Sequence, residues 1–420
     1  MKHGSVKKVA AIVAAAAMVG AMASCAPESG GEEQAGDPNA VLEYWVWQDD
    51  ATDPTWTDMV ADFNAQSEIG TVELVTIPLA QYEDKLLNGL ASGGGPDAAR
   101  FRDLWLGEFV EAGAIEPLSE RIDAWEGKDD IPSFLYETGK VPGDDTVYLM
   151  PHQYSTYYMY YRPSMFEVVG LDAPETHEDV LEAAAALKEQ GQYALDVRGG
   201  AGGQDQWSAW LLSGGAEFAD EDGNVTLAET GADVNQDYLD FVTEGYAPPG
   251  SVTADFAAVK ANFFNGTTAM MLHHAGSYNA VKEALGDDFG VVPMPNVDPS
   301  DPTTFGIMSG NVILSGSDKK DLAWSWISYL DTHDPMLKLS TSIQGQLPVL
   351  TSVIDEDVFQ SNDALMIAID GQKYAKTWPL LPGASTVANK EWGPTLQSAF
   401  EGTITSEEAL TILGNTLAGN

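Results

Sequence analysis

The chain has 420 residues and a formal net charge of −44, from 64 acidic against 20 basic side chains, with ordinary apolar content. That length suffices for two or three cores. The charge argues against nucleic acid and anionic lipid as partners, and against an anionic solute unless its site is locally basic.

Residues 1–24 read as a processed leader. Lys2, Lys7 and Lys8 give a positive start, residues 9–22 an alanine-rich apolar run too short to span a bilayer, and small residues precede Cys25. Cys25 is the single cysteine, so an internal disulfide does not explain it. The run Met22-Ala23-Ser24-Cys25 resembles the lipobox of bacterial lipoproteins, which implies lipidation at Cys25, although Met22 stands where leucine is favoured. Residues 25–39 form a polar, flexible tether of the kind an anchored protein needs.

From residue 41 strand-like and helix-like segments alternate. Residues 41–47 are rich in β-formers and predict a first strand, and Trp56, Val60 and Phe63 then recur at helical spacing. A second strand is predicted over 71–78, and a helix over 82–90 that ends at Gly93-Gly94-Gly95-Pro96. A third strand covers 97–101, and a helix over 106–112 stops at Gly113. Segments 147–150 and 156–161 bracket a polar stretch, 151–155, that reads as a crossing between lobes. Thr176 caps a helix with Asp179 three residues on, ending at Gly191. Strands are expected at 269–273, 289–293 and 311–314, with Leu322, Trp326 and Leu330 on one helix face. Residues 295–302 and 344–348 are the second and third candidate crossings. Such alternation argues for parallel sheets built from βαβ units.

Several short motifs then recur in order: Gly95-Pro96-Asp97-Ala98-Ala99 with Asp103, Trp105, Glu108 and Phe109; Met150-Pro151; Tyr160-Tyr161-Arg162 with Phe166; Phe264-Asn265-Gly266 with Ala269-Met270-Met271; Ser309-Gly310-Asn311; and Leu347-Pro348-Val349. Through them nearly the whole mature chain resembles the family-1 extracellular solute-binding proteins, the sugar-binding lipoproteins of bacterial ABC importers. The resemblance implies an α/β fold of two doubly wound lobes joined by hinge strands, periplasmic-binding-protein-like of type II, with solute in the interlobe cleft. The lobes are expected over 40–152 plus 303–345 and over 153–302 plus 346–420.

Sugars present C–H faces ringed by hydroxyls, so flat aromatic rings beside amides and carboxylates are the side chains to seek in loops after strands. Trp47, Gln48 and Asp49 follow the first strand, with Trp45 expected in the core. Arg102 and Asp103 follow the third, in a loop the family uses on sugar, and Trp105 is expected to pack the next helix. The first crossing offers Gln153, Tyr154 and Tyr157, with Ser155 where many relatives carry an acid. Trp207 stands at a glycine-rich helix start, either as a stacking ring or as a helix staple. His273 and His274 should point to opposite faces of their strand and so not chelate one metal together; one is read as a hydroxyl partner. Tyr278 stands near a position where relatives carry tryptophan, Gly310 between Ser309 and Asn311 lets amides approach a ligand, and Gln346, Trp378 and Trp392 complete the candidates.

The sequence therefore predicts a monomeric, lipid-anchored binding protein on the outer face of a bacterial cell membrane. It would deliver a neutral sugar or oligosaccharide to ABC permease subunits and use no cofactor or metal. A peptide or polyamine would suit the same fold. A glycoside-active enzyme needs two paired carboxylates, and no motif singles out such a pair.

Overall fold

The structure, a computed structural model, describes residues 37–48, 53–200, 202–220, 223–342, 345–381 and 383–419. Cys25 with the leader and most of the tether, together with Asp49 and Gln344, lies outside the described residues.

The strands are β1 (Val41–Val46), β2 (Thr71–Thr76), β3 (Ala98–Arg102), β4 (Met150–Tyr161), β5 (Tyr193–Leu195), β6 (Thr268–His274), β7 (Gly290–Val292), β8 (Thr304–Ile313), β9 (Leu347–Pro348) and β10 (Ala375–Lys376). Their hydrogen-bonded order is β2-β1-β3-β8-β4-β6-β5, with β7 and β9 on β4 and β10 on β8. The β1–β2, β1–β3 and β5–β6 pairs are parallel, as strand-helix alternation predicts, whereas β8 and β4 run antiparallel to their neighbours at the centre.

In the first lobe β1 alternates: Leu42, Tyr44 and Val46 are buried, Val41 and Glu43 exposed. The buried face packs on Trp56, Met59 and Phe63 of the helix Thr55–Gln66. Trp326 joins them from the helix Lys320–Leu330, its ring centroid 5.5 Å from Tyr44 and 5.2 Å from Phe63. The second lobe is built on β5, β6, β7 and the far half of β4. Its helices Gly203–Ser213, Leu227–Thr243 and Ser406–Leu417 share a core of Trp207, Trp210, Tyr238, Phe241, Leu410 and Leu413. Each such side chain contributes roughly 1.5–3 kcal/mol through burial. The cap at Thr176 forms as its spacing predicts: the Thr176 hydroxyl accepts the Asp179 N–H, and the Asp179 carboxylate accepts the Thr176 N–H.

The segments expected as crossings fall on or beside long strands. Residues 151–155 do not break a strand: all twelve residues of β4 are extended, with a register shift between Pro151 and Gln153. The first half of β4 pairs with β8 and the second with β6 and β7, so one strand carries the chain from lobe to lobe. Residues 295–302 stay with the second lobe, where Asn296 N–H donates to the Glu175 carbonyl and Val297 N–H to that of Ser213. The crossing there is β8 itself, ten residues long where four were expected at 311–314. The third falls on β9, which pairs with Gln153 and Tyr154. No helix among the described residues is long and apolar enough to cross a membrane.

Candidate functional site

The seam between the lobes carries a buried charge cluster. Arg102 ends β3, and Asp103 opens the turn Asp103–Trp105 behind it. Asp103 accepts the backbone N–H of Leu104 at 2.8 Å and of Met308 at 3.3 Å. Burial pushes its carboxyl up to about 6, against the pull of Arg102. The Arg102 guanidinium reaches Asp205, near the start of the helix Gly203–Ser213, with Nη2 to Oδ2 at 3.5 Å. Burial opposes that charge, and the Asp205 and Asp103 carboxylates overcome it, holding the guanidinium above its ordinary value. The other Asp205 oxygen accepts the Trp378 indole N–H at 3.4 Å. Nε and Nη2 of Arg102 are buried without a hydrogen-bond partner among the described residues. Donors so placed favour an oxygen-rich solute that can accept from them.

Tyr157 lies next to this cluster, its ring 5.8 Å from each of His273, His274 and Phe305. His274 is pushed down to about 3 by burial and then by Arg198 and Arg102, so its imidazole is neutral at physiological pH. Its Nδ1 accepts the Gly276 N–H at 3.1 Å, which leaves the ring hydrogen on Nε2 as a donor. His273 is held low by burial, stacks on Phe256 and shares a hydrogen bond of 2.8 Å with the Ser277 hydroxyl. The two imidazoles do not point apart as strand alternation predicts: their centroids are 4.1 Å from each other. Both stand at the end of β6, where the backbone leaves the strand for the turn Ala275–Ser277.

Three of the predicted tryptophans meet in the second lobe. Trp207 lies 6.4 Å from both Trp378 and Trp392, and Trp378 stacks on Phe218 at 4.9 Å. Trp207 is fully buried, and its indole donates to Asn235 Oδ1 at 2.8 Å, so it packs as core at the head of its helix. The Trp392 indole N–H is buried with no partner among the described residues.

Other candidates are occupied inside the first lobe. Trp47 is 4 % exposed, packed by Tyr82 and Trp105, with the Arg100 guanidinium 4.1 Å over its ring. Trp45 is the half-exposed one, its indole donating to Glu43, because it lies on the face of β1 opposite Leu42 and Tyr44. Arg100 also donates to the Trp47 carbonyl and to Gln153 Oε1 at 2.9 Å, which commits Gln153. Gln48 accepts from Thr76 and donates to the Asp53 carbonyl. Asn311 accepts the Tyr44 hydroxyl at 2.6 Å in the core. Gly310 is small for packing, since a side chain there would strike the Met150 carbonyl, and Ser309 is buried in β8. The buried Tyr154 sets its hydroxyl against Gly306, and Tyr278 packs on Phe289. Gln346 keeps a buried Oε1 without a hydrogen-bond partner among the described residues, close to His274's loop, where a side chain at Gly276 would meet the Gly345 carbonyl. Trp105 packs as expected, against Phe101, Tyr82 and Trp47. Sequence reasoning missed Arg100, which with Arg102 makes two cations in a five-residue buried strand of a chain poor in cations.

The sequence profile described as bacterial extracellular solute-binding protein matches residues 49–336. A binding protein of Brucella abortus (strain 2308) is 26% identical over 346 residues, 80% of this chain and 83% of that one. The maltotriose-binding protein of Pyrococcus abyssi is 23% identical over 77% of this chain and 69% of its own. The ABC transporter solute-binding protein of Thermotoga lettingae, solved with α-D-tagatose, superposes with a TM-score of 0.79 at 22% identity, over 90% of this chain and 99% of that one. Its likeness gives the fold, mixed α/β with two lobes, and the profile match gives the kinship: this chain belongs to the bacterial extracellular solute-binding protein family, family 1.

Proposed function

We propose that this protein is the extracellular substrate-binding lipoprotein of an ABC importer, and that it captures a neutral sugar or oligosaccharide between its lobes. The observation that carries the reading is the seam cluster itself. Arg102 presents an Nε–H and Trp392 an indole N–H with no hydrogen-bond partner among the described residues, beside a neutral His274 Nε2 donor, the Asp205 and Asp103 acceptors and an aromatic wall. Mixed donors and acceptors beside flat rings match ringed hydroxyls, and the buried Arg102 opposes a polyamine cation. Relatives named for maltotriose and solved with α-D-tagatose support a saccharide. In this reading Arg102, Asp103, Tyr157, His274, Gln346, Trp378 and Trp392 line the cleft, and the lobes meet at β4, β8 and β9. The protein acts as a monomer, binds and releases without catalysis, and is held at the membrane by a lipid on Cys25.

Calorimetric titration with maltose, maltotriose, α-D-tagatose, a tripeptide and spermidine tests the solute class. Saturable heat with a saccharide is expected, and binding confined to the peptide or to spermidine overturns it. For the anchor, Cys25→Ser should release the protein to the medium or leave it unprocessed; membrane retention equal to the parent chain refutes lipidation.

A further inference from the structure

The lobes are also joined away from the charge cluster. The helix Leu79–Ser92 belongs to the first lobe, since the Tyr82 hydroxyl donates to the carbonyls of Trp45 and Arg100 at 2.8 Å each. The segment Ala384–Glu391 belongs to the second. It packs on the helices Trp392–Phe400 and Ser406–Leu417, which in turn lie against Leu227–Thr243. One carboxylate spans the two. Glu83 Oε1 accepts the Ser385 hydroxyl, and Oε2 accepts Asn389 Nδ2–H at 2.8 Å. Asn389 Nδ2 lies 3.3 Å from Ser385 Oγ, so the three groups form a closed triangle. Asn389 sits in a π-helical turn, Val387–Glu391, a rare geometry that is frequent at functional sites. Burial lifts the Glu83 carboxyl above its ordinary range, as expected of a group drawn out of water by a contact.

We propose that Glu83, Ser385 and Asn389 form a clasp that holds the lobes closed by protein-to-protein bonds, so that part of the closing free energy is built into the chain. The proposal rests on the two-lobed binding-protein reading and adds a bias that no solute supplies. A solute that binds only the closed state then gains affinity in proportion to the closed population. Ser385 and Asn389 take no part in the Arg102–Asp205 ion pair or the Trp378–Asp205 hydrogen bond, whereas Glu83 also feels the Arg102 charge, so Asn389→Ala is the variant that loosens the clasp without altering that cluster.

Small-angle scattering of the full chain with no solute added tests it. Glu83→Ala and Asn389→Ala should each lower the closed-to-open ratio ~3–10-fold, seen as a larger radius of gyration. The double variant should go no further than Glu83→Ala, because that substitution already removes both bonds of the clasp. Thermal melts check that each variant is folded, and Asn389→Ala, an exposed position, keeps the test valid should Glu83→Ala be unstable. Scattering identical to the parent in both variants, or additive effects in the double variant, overturns the clasp. Maltotriose titrated into the same proteins separates the two readings. Weaker affinity by the same factor supports the bias. Absence of binding counts against the sugar reading and leaves the scattering result standing.

Discussion

Replacing Trp207 by alanine separates packing from solute contact. The ring is fully buried among Phe218, Trp378 and Trp392, and its N–H holds Asn235 Oδ1 at 2.8 Å. Asn235 in turn donates to Ser406 Oγ at 2.9 Å, and that hydroxyl donates to the Ala232 carbonyl at 2.7 Å. One indole thus ties the helices Gly203–Ser213, Leu227–Thr243 and Ser406–Leu417. Truncating a core tryptophan costs ~3–5 kcal/mol, and leaving the Asn235 oxygen buried and unpaired adds ~1–3 kcal/mol. With overlap between the two, about 5 kcal/mol is expected, a large share of a typical stability. Urea unfolding of the solute-free protein reads it directly as a fall in midpoint. Trp207→Phe keeps most of the volume and loses the donor, so its loss should be the smaller. An unchanged midpoint in Trp207→Ala, with solute affinity lost, would refute the packing account and make Trp207 a stacking ring.

Thr176→Ala removes the hydroxyl that accepts the Asp179 N–H and should cost ~1 kcal/mol in urea unfolding, with Thr176→Ser close to the parent. His177 stacks on Trp210 at 3.8 Å and contacts the Ser213 hydroxyl at 2.9 Å, and burial pushes it down to about 4. The unfolded chain therefore binds a proton that the native state refuses. This contribution, ~3 kcal/mol, is intact above the ordinary histidine value and is lost as pH falls from about 6.5 to about 4. His177→Gln should flatten that acid limb in unfolding midpoints measured at pH 7 and 4.5; an unaltered limb would refute it.

Local chemistry made much of the fold legible. The alternation of residues 41–46, the helical recurrence of Trp56 and Phe63, the break at Gly93 and the Thr176–Asp179 box each depend on neighbours a few residues away, and each forms where its pattern lies. The motifs that resemble the solute-binding family sit on or beside β3, β4, β6, β8 and β9, and the profile match agrees with them.

What the tertiary structure decided are partnerships across long sequence gaps. Trp47 and Trp45 share a pattern, yet Arg100, 53 residues on, donates to the Trp47 carbonyl and covers its ring, and Trp45 is left half-exposed. Polar residues 151–155 read as a break because their sequence is not apolar. They are extended because β8, on one side, and β9, on the other, supply hydrogen bonds that no local pattern announces. His273 and His274 meet because a turn follows them, and Arg102 meets Asp205 across the seam although the two stand far apart in the sequence. Periodicity tells which face of an element must leave water, since burial depends on side-chain type and spacing. Which groups then face one another across a seam depends on how distant elements are oriented, and no short stretch of chain encodes that.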